Sequence, residues 1–195
     1  MIVSIDEIKK LRELTGVSVS ECKKALEEAN GDVEKAKEIL RKRGEDVAKK
    51  KSERQTGEGV ISAYVHSNNK LGVILDLRCE TDFVARSEEF KRLAHELCLQ
   101  IASMKPSFVR PEDIPQDILE REREIYIEQL KKEGKPDNII NNIVEGKLEK
   151  FKKENCLLLQ QWIKNPEVTI ENLIKEHITK FGENIRVERF VIYEI

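Results

Sequence analysis

GEGVISAYVHSNNKLGVILDLRC, residues 57–79, alternates apolar and polar positions with a period of two on both sides of Ser67-Asn68-Asn69. Such alternation puts every second side chain on one face of an extended strand, and the polar interruption reads as a turn, so the segment predicts a β-hairpin. Leu71, Val73, Leu75, Leu77 and Cys79 share its covered face. Beyond it Phe90, Leu93, Ala94, Leu97, Cys98, Ile101 and Ala102 change to a spacing of three and four, a helix whose apolar stripe can lie on that sheet. Residues 185–195, IRVERFVIYEI, form a further strand that needs a partner sheet. Joined to the hairpin it makes a small, mostly antiparallel three-stranded sheet packed by helices, and the fold class is α+β.

Upstream of the hairpin the period is helical. Ser4 and Glu7 form a capping-box pattern ahead of Ile5, Ile8, Leu11 and Leu14, and Gly16 is a stop. Ser18 and Glu21 repeat the pattern before Cys22, Ala25, Leu26 and Ala29, and Asn30-Gly31 breaks it. Asp32 then caps a helix that buries Val33, Ala36, Ile39 and Leu40 and is expected to end at Arg43-Gly44. Residues 1–45 thus read as a three-helix module. Residues 46–56 are charged, with little to bury, and read as a linker or an exposed helical extension in which Lys49-Lys50-Lys51 is a solvated face. Residues 57–195 form the α+β core domain.

Within that core, Pro106, Pro111 and Pro115 mark an irregular connection. Helical spacing resumes at Ile118, Leu119, Ile125, Tyr126 and Leu130, stops at Gly134, and restarts after Pro136 through Ile139, Ile140, Ile143, Val144, Leu148 and Phe151. The region from about 116 to 155 is expected to be an antiparallel helical pair. Cys156-Leu157-Leu158-Leu159 is a buried run, and a Thr169-capped helix carries Ile170, Leu173, Ile174 and Phe181 up to Gly182.

The totals limit the function classes. Of 195 residues 37% are charged, but 35 basic and 37 acidic side chains leave a formal net charge of −2, whereas direct nucleic-acid binding calls for a clustered basic excess. The four cysteines, Cys22, Cys79, Cys98 and Cys156, and the three histidines are too scattered to suggest a zinc site or a disulfide framework. No apolar run approaches the roughly 20 residues that span a bilayer, and MIVSIDEIKK lacks the pattern of a signal peptide. The expectation is a cytoplasmic protein without cofactor or metal, and without membrane or direct nucleic-acid contact.

Glu80-Thr81-Asp82-Phe83-Val84-Ala85-Arg86 stands out, because Phe83 is out of phase with the core at a tight strand-to-helix connection. In one reading Phe83 tucks under the sheet while Thr81 or Asp82 caps a helical turn. In the other it is an aromatic anchor for a partner's pocket. A thiol enzyme would use Cys79 as nucleophile, His66 as base and Asp82 as orienter, but Cys79 is in phase with the buried face and His66 sits at the turn. Trp162, beside Gln160-Gln161, reads as a core plug or as an interface patch.

TGVSVSECKKALEEANGDVEKAKEILRKRG (15–44) resembles the N-terminal module of the elongation factor Ts family, and CETDFVAR (79–86), EGKP (133–136), VEGKLEKF (144–151) and GENIRVERF (182–190) follow in the family's order. The resemblance implies a ubiquitin-associated type of three-helix fold for the module. It also implies a non-enzymatic guanine-nucleotide exchange factor that binds elongation factor Tu in its GDP-bound and nucleotide-free states. The TDF corner, here Asp82 and Phe83 shaped by Thr81, Val84 and Ala85, would enter the GTPase near its Mg²⁺ and phosphate site. Val17, Val19 and Ser20 would form the N-terminal contact tip. Ser20 stands where the family often has an apolar residue, and Arg78 where it often has Asn. With a single core subdomain the chain resembles the short members, which are expected to be homodimers. A rival reading of the three-helix module is an adaptor of the ubiquitin-associated type that binds another protein without exchange activity.

Overall fold

A computed structural model describes residues 3–195, the side chain of Glu45 excepted. The first helix, α1 (Ile5–Thr15), begins on the expected capping box: Ser4 Oγ accepts from Glu7 N at 3.1 Å and the Glu7 carboxylate accepts from Ser4 N at 2.9 Å. It ends on Gly16 at φ 67°, where glycine carries no Cβ penalty. Helix α2 (Val19–Glu28) is capped by Ser18 and α3 (Val33–Lys51) by Asp32, whose carboxylate accepts from Glu34 N and Lys35 N. Ile8, Leu11, Val17, Cys22, Ala25, Leu26, Ala29, Ala36 and Leu40 close the module's core.

Ile5 and Leu14, at the two ends of the apolar run of α1, are exposed. Steps of three drift about 60° around a 3.6-residue helix, so a run of four such positions leaves the core at both ends. Gly44 does not end the third helix, which runs to Lys51. It continues an i+4 stripe, Ala36-Leu40-Gly44-Ala48, and a Cβ at Gly44 would come within 2.9 Å of Thr179 Oγ1. Gly44 is therefore there for close approach rather than for termination.

Strands β1 (Glu58–Val65) and β2 (Leu71–Cys79) form the hairpin, closed by His66 N donating to Leu71 O and by Asn69 at φ 56°. Short helix α4 (Asp82–Arg86) leads into α5 (Glu88–Met104). Helices α6 (Gln116–Lys132) and α7 (Asp137–Asn155) pack as a pair around Leu130, Ile140, Val144 and Leu148. A small hairpin that the sequence reading did not contain, β3 (Gln161–Trp162) with β4 (Asn165–Thr169), precedes α8 (Ile170–Phe181) and β5 (Ile185–Glu194). The three-stranded sheet has the order β1-β2-β5, and Ile195 N donates to Lys70 O, so β5 runs antiparallel to β2.

The chain divides into two compact units. The first takes in the chain up to Val60, with Leu77–Lys91 and Asn172–Arg186; the second takes in Ile61–Asp76, Arg92–Glu171 and Val187–Ile195. In the first, Phe90 meets Phe181 edge-on at 6.2 Å. In the second, Cys98 Sγ reaches Ser62 O, and the buried Gln100 amide donates to Gln160 Oε1 and Gln161 O while accepting from Ile163 N. That satisfied amide fixes β3 against α5.

Gly59, in the first unit, has no room for a side chain: an added Cβ would lie 2.2 Å from Leu77 O and 2.9 Å from Arg78 Cα. Gly59→Ala is expected to destabilise the protein by about 2 kcal/mol or more through backbone displacement. Thermal melting checks this, and an unchanged melting temperature would show that the hairpin yields there at no cost.

Candidate functional site

The connection from β2 to α5 is a corner built by its own polar groups. Thr81 is extended (φ −126°, ψ 156°) and its Oγ1 accepts from Val84 N, making Thr81 the N-cap of α4. Thr81 O accepts from Ala85 N at 3.2 Å and from Cys79 Sγ at 3.2 Å. Ser87 closes the turn, donating from N and Oγ to Val84 O, and its Oγ accepts from Phe90 N to start α5.

This turn decides the direction of Phe83. Ala85 is buried, and a residue two positions earlier on a helix points about 200° away. Phe83 accordingly faces solvent and is 84% exposed. Thr81 therefore does cap, as the bland reading has it, but Phe83 is not under the sheet. Asp82 pairs with Arg86 at 3.1 Å on an open surface, where ion pairs contribute little. Val84 is half-buried between the exposed ring and the buried Ala85.

Two residues from the turn between α8 and β5 hold the corner from the other side. The Glu183 carboxylate accepts from Thr81 N at 3.0 Å and from Thr81 Oγ1 at 2.6 Å. Asn184 N donates to Glu80 Oε1 at 2.6 Å, and Asn184 Nδ2 donates to Ser52 O and Arg54 O. Arg54 adds an ion pair with Glu80 at 3.4 Å. Glu80, Glu183 and Asn184 were outside the predicted site. The motifs CETDFVAR and GENIRVERF contain them, but nothing in a single sequence pairs positions about a hundred residues apart.

The thiol-enzyme constellation is not assembled. Cys79 is fully buried, and burial, with the Glu183 carboxylate adding its charge, pushes its thiol up to about 11. His66 stands in the hairpin turn, before the first residue of the strand that Cys79 closes. The His66 ring nitrogen is bonded to the Tyr64 hydroxyl at 2.8 Å. A neutral thiol without a base is not a nucleophile at neutral pH.

At the N-terminal tip Val17 belongs to the module's core, while Val19 and Ser20 are exposed. Leu14 adds exposed apolar surface beside the same α1–α2 turn. Trp162 is half-buried in β3. Among the described residues no group of His, Cys, Asp and Glu side chains is placed to hold a metal ion, and no helix is long and apolar enough to cross a membrane.

The family model described as Elongation factor TS matches residues 5–195. The chain is 57% identical over 195 residues to Elongation factor Ts of Thermotoga maritima, covering 100% of this chain and 97% of the relative. It is 56% identical over 195 residues to that of Thermotoga neapolitana, covering 100% and 98%. With that of Thermosipho melanesiensis it shares 54% identity over 194 residues, covering 100% and 99%.

Proposed function

The chain belongs to the elongation factor Ts family, and from that premise we propose that it promotes release of GDP from elongation factor Tu by inserting the corner that carries Phe83. The observation behind the mechanism is the pairing of an 84%-exposed aromatic ring with a backbone fixed on both sides by hydrogen bonds. A ring presented rigidly loses little entropy on docking, and its burial contributes roughly 1.5–3 kcal/mol.

A GTPase holds GDP through backbone N–H groups and a Mg²⁺ that bridges phosphate and protein oxygens. Phe83 pries apart the elements that position those ligands, while Asp82 competes for nearby donors. Thr81, Val84 and Ala85 give the wedge its shape. By linkage, a factor that binds the empty GTPase more tightly than the loaded one weakens nucleotide binding by the same ratio, with about 1.4 kcal/mol per tenfold. GTP then displaces the factor by mass action, without covalent chemistry.

Residues 1–45 serve in this reading as a second contact module, joined through 46–56 to the core of 57–195. Its tip offers Val19, with Ser20 beside it and Val17 supporting it from within. The working form is a homodimer. On the sheet face away from α5, Ile61, Val65, Ile74, Val191 and Tyr193 are exposed, where an antiparallel sheet open to water normally alternates to polar side chains. A second copy supplies the same patch, as a two-fold interface requires. The cytoplasm, with its reducing conditions, suits the free thiols of all four cysteines.

The test is the rate at which a fluorescent GDP analogue leaves purified elongation factor Tu, with and without the protein. Acceleration supports the proposal. No acceleration by folded protein leaves the adaptor reading of the three-helix module. Cys79→Ser is expected to leave the accelerated rate within about twofold while costing about 1 kcal/mol of stability through imperfect burial of the hydroxyl. A loss of exchange in a folded Cys79→Ser protein would reopen a role for the thiol.

A further inference from the structure

Helix α4 has only five residues, too few to be stable or to hold a direction by itself. Its direction is held by its cap together with the burial of Ala85, and the cap in turn is held by Glu183. The Thr81 hydroxyl has one proton, and that proton is given to a Glu183 oxygen at 2.6 Å. A lone pair is thereby left facing Val84 N at 3.5 Å, beside the backbone bond from Ala85 N to Thr81 O that starts the helical turn. The other Glu183 oxygen holds Thr81 N at 3.0 Å, which fixes the residue's backbone as well. One carboxylate thus sets both the position of the N-cap and the sense of its hydroxyl.

The neighbouring contact runs in the reverse direction. Asn184 N donates to Glu80, so each turn supplies a carboxylate to the residue next to the other turn's own acid. Displacing Glu183 therefore frees Thr81 while Glu80 and Asn184 still keep the two turns together, and the expected result is a re-aimed corner rather than an unfolded one.

We infer that Glu183 is a positioning residue for nucleotide exchange: it aims Phe83 through Thr81 without touching the partner. This inference rests on the exchange reading above. It extends the site to a residue about a hundred positions away in the chain and to a side chain that is itself half-buried behind the corner.

The experiment is a double-mutant cycle between Glu183→Gln and Phe83→Ala, read by release of a fluorescent GDP analogue at saturating factor. Glu183→Gln keeps the shape but turns a second donor toward Thr81, and is expected to lower the maximal rate about tenfold, the range for a charged pair of hydrogen bonds. In the Phe83→Ala background the same change is expected to cost nothing further, a non-additivity that a general loss of stability would not produce. Thr81→Val is expected to reproduce the loss and Thr81→Ser, which keeps the hydroxyl, to retain the rate. Should Glu183→Gln fail to fold, the Thr81 pair carries the same test. A wild-type rate in folded Glu183→Gln, or full additivity with Phe83→Ala, overturns the inference while leaving the exchange reading intact. If Phe83→Ala itself has no effect, the exchange wedge fails first.

Discussion

Phe83→Ala is expected to slow GDP release from elongation factor Tu at saturating factor by about ten- to a hundredfold, the equivalent of losing roughly 1.5–3 kcal/mol of ring burial. The size follows from the exposure of the ring in the free protein, since nearly all of its apolar surface is available to be covered by a partner. The stability of the variant is expected to stay within about 0.5 kcal/mol of the parent, because an exposed side chain supports no core. The corner's backbone bonds do not use the ring, so Thr81, Val84 and Ala85 keep their places. Affinity for nucleotide-free Tu is expected to fall less than the rate if the proposed N-terminal contact is retained. Titrating the variant against the analogue-loaded GTPase separates the two effects. An equal fall in affinity with an unchanged maximal rate would make Phe83 an anchor that binds both nucleotide states alike, since uniform binding does not accelerate release.

How much of this was legible beforehand depends on the range of the signal. Period-two alternation placed Val73, Leu75, Leu77 and Cys79 on the inner face of β2, and they are buried there. Capping residues Ser4, Ser18 and Asp32 marked the helix starts because their bonds reach only two or three residues ahead. Phe83 was ambiguous, since its direction depends on a single helical turn too short to have a period. Gly44 misled because its reason lies at Thr179, far along the chain. The β3–β4 hairpin went unread because two- and five-residue strands fall below what alternation can signal, and its support comes from Gln100. The Glu183–Thr81 contact was beyond a sequence reading for the same reason as Gly44. Local chemistry was visible, as was the last strand's need for the hairpin as its partner, while individual side-chain contacts between distant segments were not.

Ile61→Lys is expected to convert the proposed dimer into a monomer that still folds. Ile61 is 66% exposed in the single chain and β1 is an edge strand, a setting in which lysine is well tolerated. In a face-to-face dimer the same position is covered, and a two-fold axis puts two introduced charges into one apolar layer. Even with the ammonium groups bending outward, each costs about 2–3 kcal/mol, so the pair weakens association by about three to four decades. Light scattering reads the outcome directly: twice the 22.6 kDa chain mass for the parent and the single mass for the variant. A parent that is already monomeric would sink the dimer proposal, and a variant that stays dimeric would move the interface off this face. Phe83 lies on α4, outside the strands that carry the patch, so a single corner has all the groups the wedge requires. The monomeric variant is therefore expected to retain exchange measured per chain, and a loss of exchange together with dimerisation would mean that the second copy contributes to the contact with the GTPase.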